Sequence, residues 1–233
     1  MKREKIINYV KLAVILYLFF NLGSIVIFIF KGLGFNTSIF DGADVAYLNA
    51  LVELILLFTV YLLYHRSLNK DLNSFKLNYK DYMNKICVYF AVFLGLKIGF
   101  ALVSGILSAL LGVPISGSEN QNIIDSITNN APVMMFISTS LLAPFVEEGI
   151  FRLGLRSVIK EKYLFIAISG LVFGFMHIFP TELPLYVALI QSIVYVAMGI
   201  CLAYMYTETD NIWITIIIHA LNNFLSMAAI LIF

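Results

Sequence analysis

Long apolar stretches alternate with short polar segments along the whole chain. A bilayer core about 30 Å thick needs ~20 helical residues to cross it, and seven stretches have about that length. The pattern predicts an all-α, polytopic membrane protein with about seven transmembrane helices, with an eighth within 113–132 as the alternative. The predicted spans cover 8–30, 46–64, 86–112, 133–155, 163–180, 184–206 and 211–232.

The polar segments between the spans have the composition of loops. The three longest cover 31–44, 65–85 and 114–130. The first apolar run is too long for the h-region of a signal peptide, which predicts a retained signal-anchor helix. We find no internal repeat and expect one integral membrane domain, in which residues 1–131 carry no diagnostic motif and 132–233 form the functional core.

The composition excludes several classes of protein. Hydrophobic residues make up 61% of the chain and charged residues 12%, against roughly 45–50% and about 25% in a soluble domain. A soluble enzyme, a disordered tail and a nucleic-acid binder are therefore excluded. The two cysteines, Cys87 and Cys201, lie inside apolar runs and fit neither a metal motif nor a disulfide.

The basic residues are distributed unevenly between the two sides of the predicted membrane. Cytoplasmic loops of membrane proteins carry an excess of Lys and Arg. A cytoplasmic N-terminus and an external C-terminus leave only Lys31 in the outside segments. The inside segments then hold eleven of the fifteen basic residues, namely Lys2, Arg3, Lys5, Arg66, Lys70, Lys76, Lys80, Lys85, Arg156, Lys160 and Lys162.

Two isolated ionisable residues lie inside early spans. An ionisable side chain at the centre of a bilayer costs at least ~2.5–3.5 kcal/mol on insertion scales, so each needs an explanation. Glu53 lies in the second span and Lys97 in the third. They are either held by each other or by the backbone to fix helix packing, or they take part in binding a substrate.

The fourth span carries two adjacent glutamates and an arginine. Glu148 and Arg152 are four residues apart, so they share one helix face and can pair. Glu147 lies ~100° around the helix from Glu148 and cannot share that arginine equally well. A structural ion pair accounts for Glu148 and Arg152, but it does not account for a second carboxylate at this depth.

The fifth and seventh spans supply the other mid-membrane polar groups. The fifth carries His177, and the seventh carries His219 and Asn223 at i and i+4, with Asn222 predicted to point elsewhere. A single histidine in a membrane span is more often a hydrogen-bonding partner in helix packing. Together with the two glutamates, however, these groups supply what hydrolysis needs: a base, an imidazole and donors for an oxyanion.

The three motifs resemble those of the CPBP family. Glu147-Glu148-x-x-x-Arg152, Phe173-x-x-x-His177 and His219-x-x-x-Asn223 occur in the order of that family, over roughly residues 132–230. The family comprises the type II CAAX prenyl endopeptidases and the bacterial bacteriocin-processing or immunity proteins, also called Abi proteins.

The resemblance implies an intramembrane endopeptidase with a membrane-associated peptide or protein as its substrate. It implies that Glu147 activates water with help from His177, and that His219 and Asn223 stabilise the oxyanion. The supporting residues are Glu148 and Arg152, which hold the fourth helix and favour the charged form of Glu147, and Phe173, which packs one turn before His177.

The resemblance leaves the cofactor open, because members of the family have been described both as metalloproteases and as glutamic proteases. Glu147, His177 and His219 offer a two-histidine, one-carboxylate set for zinc. The sequence lacks HExxH, and neither histidine has an adjacent Asp or Glu to orient it, as ligating histidines usually have. We therefore favour a mechanism without a cofactor and keep zinc as the alternative.

Three functions fit these observations. The first is the endopeptidase, in a bacterial cell membrane, with a bacteriocin leader, a signalling-peptide precursor or a membrane regulator as a better substrate than a prenylated protein. The second is a non-proteolytic bacteriocin-immunity or scaffold protein on the same fold. The third is a transporter, which the absence of an inverted repeat disfavours. The partners are the substrate and the lipid bilayer, without nucleic acid, and the sequence does not define an oligomeric state.

Overall fold

All regular secondary structure is helical in the part of the chain that a computed structural model describes, residues 2–113, 124, 126–178 and 181–232. A short 3-10 turn, Thr37–Ile39, precedes the second helix. The long helices are α1 (Lys2–Gly32), α2 (Gly42–Leu77), α3 (Tyr79–Leu110), α4 (Pro132–Val158), α5 (Lys162–Met176), α6 (Leu185–Thr209) and α7 (Ile212–Ile232).

Each predicted span falls on one of these helices, and the chain is a polytopic, all-α membrane protein. Six of the helices are long and apolar enough to cross a bilayer. The exception is α5, which has 15 residues where a crossing needs ~20. The alternative eighth span, within 113–132, lies largely outside the described residues.

The prediction of a loop over 65–85 is wrong. Helix α2 continues to Leu77 and α3 begins at Tyr79, so Asn78 alone separates them. The segment contains no glycine or proline and several residues with good helix propensity, so its polar composition does not interrupt the helix. At 1.5 Å per residue, the 36 residues of α2 extend roughly 54 Å, well beyond the thickness of a bilayer core.

The helices form two compact units that are interleaved along the chain. This division reflects which residues contact each other in space. The predicted boundary at residue 131 was placed instead where the sequence motifs begin, and it stays a prediction. Unit 1 comprises Met1–Lys70, Ile124–Val158 and His219–Phe233, and unit 2 comprises Asp71–Ile123 and Ile159–Ile218.

In unit 1, α2 and α4 run in the same direction. Glu53 contacts Ser138, and two turns further along α2 the side chain of Val60 packs on Gly149 of α4. A Cβ atom at Gly149 would collide with the Val60 side chain, so glycine is what allows this close approach.

Helix α1 runs antiparallel to α4 in the same unit. The ring of Phe19 meets Phe151 edge-on, with centroids 5.9 Å apart. Earlier in α1, the amide of Asn8 donates to the carbonyl of Ser157, at 3.3 Å. The two contacts fix the register of α1 along the helix that carries the acidic motif.

In unit 2, α5 and α6 approach each other through glycines. A Cβ atom added to Gly199 of α6 would lie 2.9 Å from the carbonyl oxygen of Gly170 on α5. One turn later on α5, Gly174 faces the backbone of Val196. Small residues at such spacing are typical of close helix pairs in membranes, and this contact holds the end of α5 against α6.

A polar cap in unit 2 explains how α7 begins. The side chain of Asn211 accepts from the amide of Trp213 at 3.0 Å and donates to the carbonyl of Asp71 at 2.8 Å. The carboxylate of Asp71 accepts from the amide of Ile212 at 3.1 Å. These acceptors satisfy amides in the first turn of α7, which have no partner within the helix.

The membrane topology gives a first testable prediction. A reporter fused near Lys76, beside the break at Asn78, should lie in the cytoplasm, and one near Glu119 should lie outside, because basic residues concentrate around the first position. Alkaline phosphatase and fluorescent-protein fusions at both positions measure this. Reporters that lie on the same side would contradict the seven-span topology.

Candidate active site

Helix α4, which carries the acidic motif, is interrupted by two π-turns, Ser138–Leu142 and Gly149–Gly154. A π-turn pairs each amide with the carbonyl five residues earlier instead of four, and such turns occur frequently at functional sites. The stretch Ala143–Glu148 between them is α-helical. The two glutamates therefore lie between two local changes of helical pitch.

The ion pair predicted within α4 is confirmed. Glu148 Oε2 lies 3.1 Å from Arg152 Nε, and both side chains are fully buried. Breaking a buried pair leaves an uncompensated charge and costs about 3–5 kcal/mol. This pair accordingly couples the site to the stability of unit 1.

His219 of α7 lies between the two glutamates of α4. Its Nδ1 is 3.0 Å from Glu148 Oε1, and its Nε2 is 3.8 Å from Glu147 Oε2. Because an ionised carboxylate only accepts, the shorter contact places a ring proton on Nδ1. The result is a chain of buried polar groups in which Arg152 contacts Glu148, Glu148 contacts His219, and His219 faces Glu147.

Asn223 is held one helical turn after His219. Its Nδ2 donates to the carbonyl of Thr139 in the first π-turn, at 2.9 Å. Its Oδ1 accepts from the side-chain Nδ2 of Asn222, also at 2.9 Å. Asn222, whose side chain was predicted to point elsewhere, instead contacts the next residue of α7, Asn223.

Glu53 is held by two polar side chains that were not predicted from the sequence. Ser138 Oγ donates to Glu53 Oε2, and Asn49 Nδ2 donates to Glu53 Oε1 at 3.2 Å and to Ser138 Oγ at 3.1 Å. The i, i+4 spacing of Asn49 and Glu53 on α2 is a signal in the sequence that pointed to one of these contacts. No signal in the sequence pointed to Ser138, which is 85 residues from Glu53.

His177 belongs to unit 2 and follows the end of α5 at Met176, four residues before the predicted end of that span. Its Nδ1 lies 2.8 Å from the carbonyl oxygen of Phe173, which places a ring proton on Nδ1. The ring stacks on Tyr195 of α6, with centroids 4.8 Å apart and planes 16° apart, and the Phe173 ring lies 4.6 Å away. The imidazole is thus fixed in both orientation and tautomer.

Of the predicted site residues, unit 1 brings together Glu147, Glu148, Arg152 and His219, with Asn223 on the next turn of α7. His177 and Phe173 lie in unit 2 and contact each other there.

Two of the three residues predicted as possible zinc ligands lie together in unit 1. In the part of the chain that the structure describes, no group of three or more His, Cys, Asp or Glu residues is arranged to hold a metal ion. Glu147 and His219 supply two groups, whereas catalytic zinc sites use three protein ligands. For His219 the orienting carboxylate, which is not adjacent in sequence, comes from another helix: Glu148 accepts from its Nδ1.

The fold and these residues define a polytopic membrane protein with a buried carboxylate–imidazole cluster. Residues 129–225 match the family described as type II CAAX prenyl endopeptidase Rce1-like. The match covers all three motifs, so the resemblance to this family is confirmed over that part of the chain.

Two curated bacterial proteins are similar to the chain. The "Putative membrane peptidase YdiL" of Bacillus subtilis (strain 168) is 30% identical over 145 residues, 56% of this chain and 55% of that protein. The "UPF0177 protein YvdC" of Lactococcus lactis subsp. lactis (strain IL1403) is 28% identical over 142 residues, 58% of this chain and 52% of that protein. The chain thus spans about half the length of the curated relatives it matches. No solved structure matches the chain significantly.

Proposed function

We propose that this protein is an intramembrane endopeptidase that hydrolyses a peptide bond in a membrane-associated peptide or protein. The observation that carries the proposal is the placement of His219 between Glu147 and Glu148, with Glu148 neutralised by Arg152. The family match over 129–225 and the relative named as a membrane peptidase support the same reaction. Because both relatives are bacterial, we place the protein in a bacterial membrane.

Glu147 is the proposed general base. The 3.8 Å between its Oε2 and His219 Nε2 is too long for a direct hydrogen bond, but one water molecule can bond to both atoms. Glu147 removes a proton from this water, and the oxygen attacks the carbonyl carbon of the substrate. The proton then passes from Glu147 to the leaving nitrogen as the C–N bond breaks, which restores the carboxylate.

His219 and Asn223 are the proposed donors to the oxyanion. For His219 to donate, its Nε2 must carry a proton in addition to the one on Nδ1, and the ring in that form lies between two carboxylates, Glu148 at Nδ1 and Glu147 at Nε2. The contact between Asn223 and Thr139 uses one of the two N–H bonds of the amide, which leaves the second for the substrate. The role of His177 in assisting Glu147 is carried over from the motif alone.

The test uses purified protein reconstituted in liposomes with a library of membrane-anchored peptides, and new peptide termini identified by mass spectrometry. Wild type should generate defined products, and Glu147→Ala should generate none. Binding of a peptide by both proteins without cleavage would instead favour the non-proteolytic scaffold. Identical products from both would remove Glu147 from the mechanism.

The metal requirement forms a separate prediction. We expect cleavage to persist after exhaustive chelation, and elemental analysis to find zinc far below one ion per chain, because the proposed proton transfers need only side chains. His177→Ala, which should lower activity without changing metal content, is the control. Stoichiometric zinc that this substitution removes, with activity restored only by added metal, would establish the metal-dependent mechanism.

A further inference from the structure

The first π-turn of α4 leaves one backbone carbonyl without its helical donor. The backbone N–H of Ala143 donates to the carbonyl of Ser138, five residues earlier. It therefore does not donate to the carbonyl of Thr139, which an α-helix would require. In the same π pattern the carbonyl of Thr139 would accept from residue 144. That residue is Pro144, which has no N–H. Neither the α nor the π pattern therefore supplies the donor for Thr139.

The side chain of Asn223 takes the place of the missing donor, at 2.9 Å from the Thr139 oxygen. Its other end accepts from Asn222. Because an amide group is planar, contacts at both its nitrogen and its oxygen fix the direction of the remaining N–H bond. Asn223 follows His219 by four residues, so that N–H lies along the helix face that carries the imidazole.

We propose that Pro144 is a positioning residue: by withholding an N–H inside the π-turn, it leaves the Thr139 carbonyl to orient the Asn223 amide toward the substrate. The inference rests on the proposed function, in which Asn223 donates to the oxyanion. Proline inside a helix is ordinarily costly, by about 3 kcal/mol or more. Here its missing donor has a defined use, since the carbonyl that it leaves open is the one that Asn223 contacts.

The experiment restores the missing N–H with Pro144→Ala in the full-length protein. We expect folded yield to be retained and kcat to fall by about 10²-fold with little change in KM, because losing one oxyanion donor costs roughly 10²–10³ in rate. Pro132→Ala is the matched control. Pro132 lies in the first turn of the same helix, where an amide has no helical partner in any case, so this variant should match wild type.

A double variant separates positioning from a general effect on the helix. If Pro144 acts through Asn223, Pro144→Ala combined with Asn223→Ala should be no slower than Asn223→Ala alone. Side-chain amide NMR of labelled protein should also show the Asn223 signal shifted in Pro144→Ala but not in Pro132→Ala, and this readout does not depend on activity.

The outcomes distinguish this inference from the proposed function. Full activity of Pro144→Ala, additive losses in the double variant, or loss of folded protein in Pro144→Ala alone would each overturn the role of Pro144, provided that wild type cleaves and Asn223→Ala cleaves at a measurable but reduced rate. Absence of cleavage by wild type would overturn the proposed function instead, while an unshifted Asn223 signal would still count against the positioning role.

Discussion

Replacing Glu147 with glutamine should abolish cleavage and leave the protein as abundant as wild type. A glutamine side chain cannot accept the proton from water, and a positioned general base contributes about 10²–10⁴-fold in rate. The buried ion pair between Glu148 and Arg152 remains intact in this variant, so the fold keeps its charge balance. Cleavage rates at saturating substrate, normalised to folded protein from size-exclusion chromatography, give the comparison.

Glu53→Gln is the matched control for this loss. It makes the same chemical change at another carboxylate of unit 1, one that contacts Ser138 and Asn49 and has no assigned part in the reaction. We expect this control to retain most of its activity. Retained activity in Glu147→Gln, or an equal loss in both variants, would show that the reaction does not depend on Glu147 as its base.

Glu148→Gln should have the opposite signature, with a large loss of folded protein. The substitution leaves Arg152 buried without its counter-charge, which costs about 3–5 kcal/mol. That is a large part of the stability of a typical domain, about 5–15 kcal/mol. Thermal unfolding in detergent and folded yield measure the effect.

A double variant identifies the cause of that loss. Glu148→Leu with Arg152→Leu removes both charges and should recover much of the folded yield, because replacing a whole buried pair by apolar residues is often neutral. Activity should not return, since His219 Nδ1 has lost its acceptor. A double variant as unstable as Glu148→Gln would mean that the pair is not the source of the stability.

The parts of this molecule that the sequence predicts well are those set by local spacing. Spans follow from the length of apolar runs, and each one falls on a helix. The pair of Glu148 and Arg152 follows from a separation of four residues on one helix. The loop expected over 65–85 failed because polar composition alone does not end a helix that lacks glycine and proline.

The contacts that complete the site depend on helices that are far apart in sequence. His219 and Glu148 are 71 residues apart, and nothing in either motif indicates which of the two glutamates accepts a hydrogen bond from His219 Nδ1. Asn222 turns toward Asn223, a rotamer choice that ideal helix geometry does not give. The π-turn was also missed, although Pro144 in the middle of an apolar helix is a signal that a backbone carbonyl there needs another donor.

The ion pair within α4 also has a consequence for biosynthesis. At 5–20 residues per second, the 71 residues between Glu148 and His219 take roughly 4–14 s to synthesise. Arg152 needs no later helix during that interval, because its counter-charge lies one turn away on the same segment, and α4 can leave the translocon with that pair already neutral. The imidazole that faces Glu147 arrives only with α7. A nascent chain can therefore insert α4 with Arg152 already paired, yet it gains the proposed hydrolytic activity only when its synthesis has passed Asn223, the second proposed oxyanion donor.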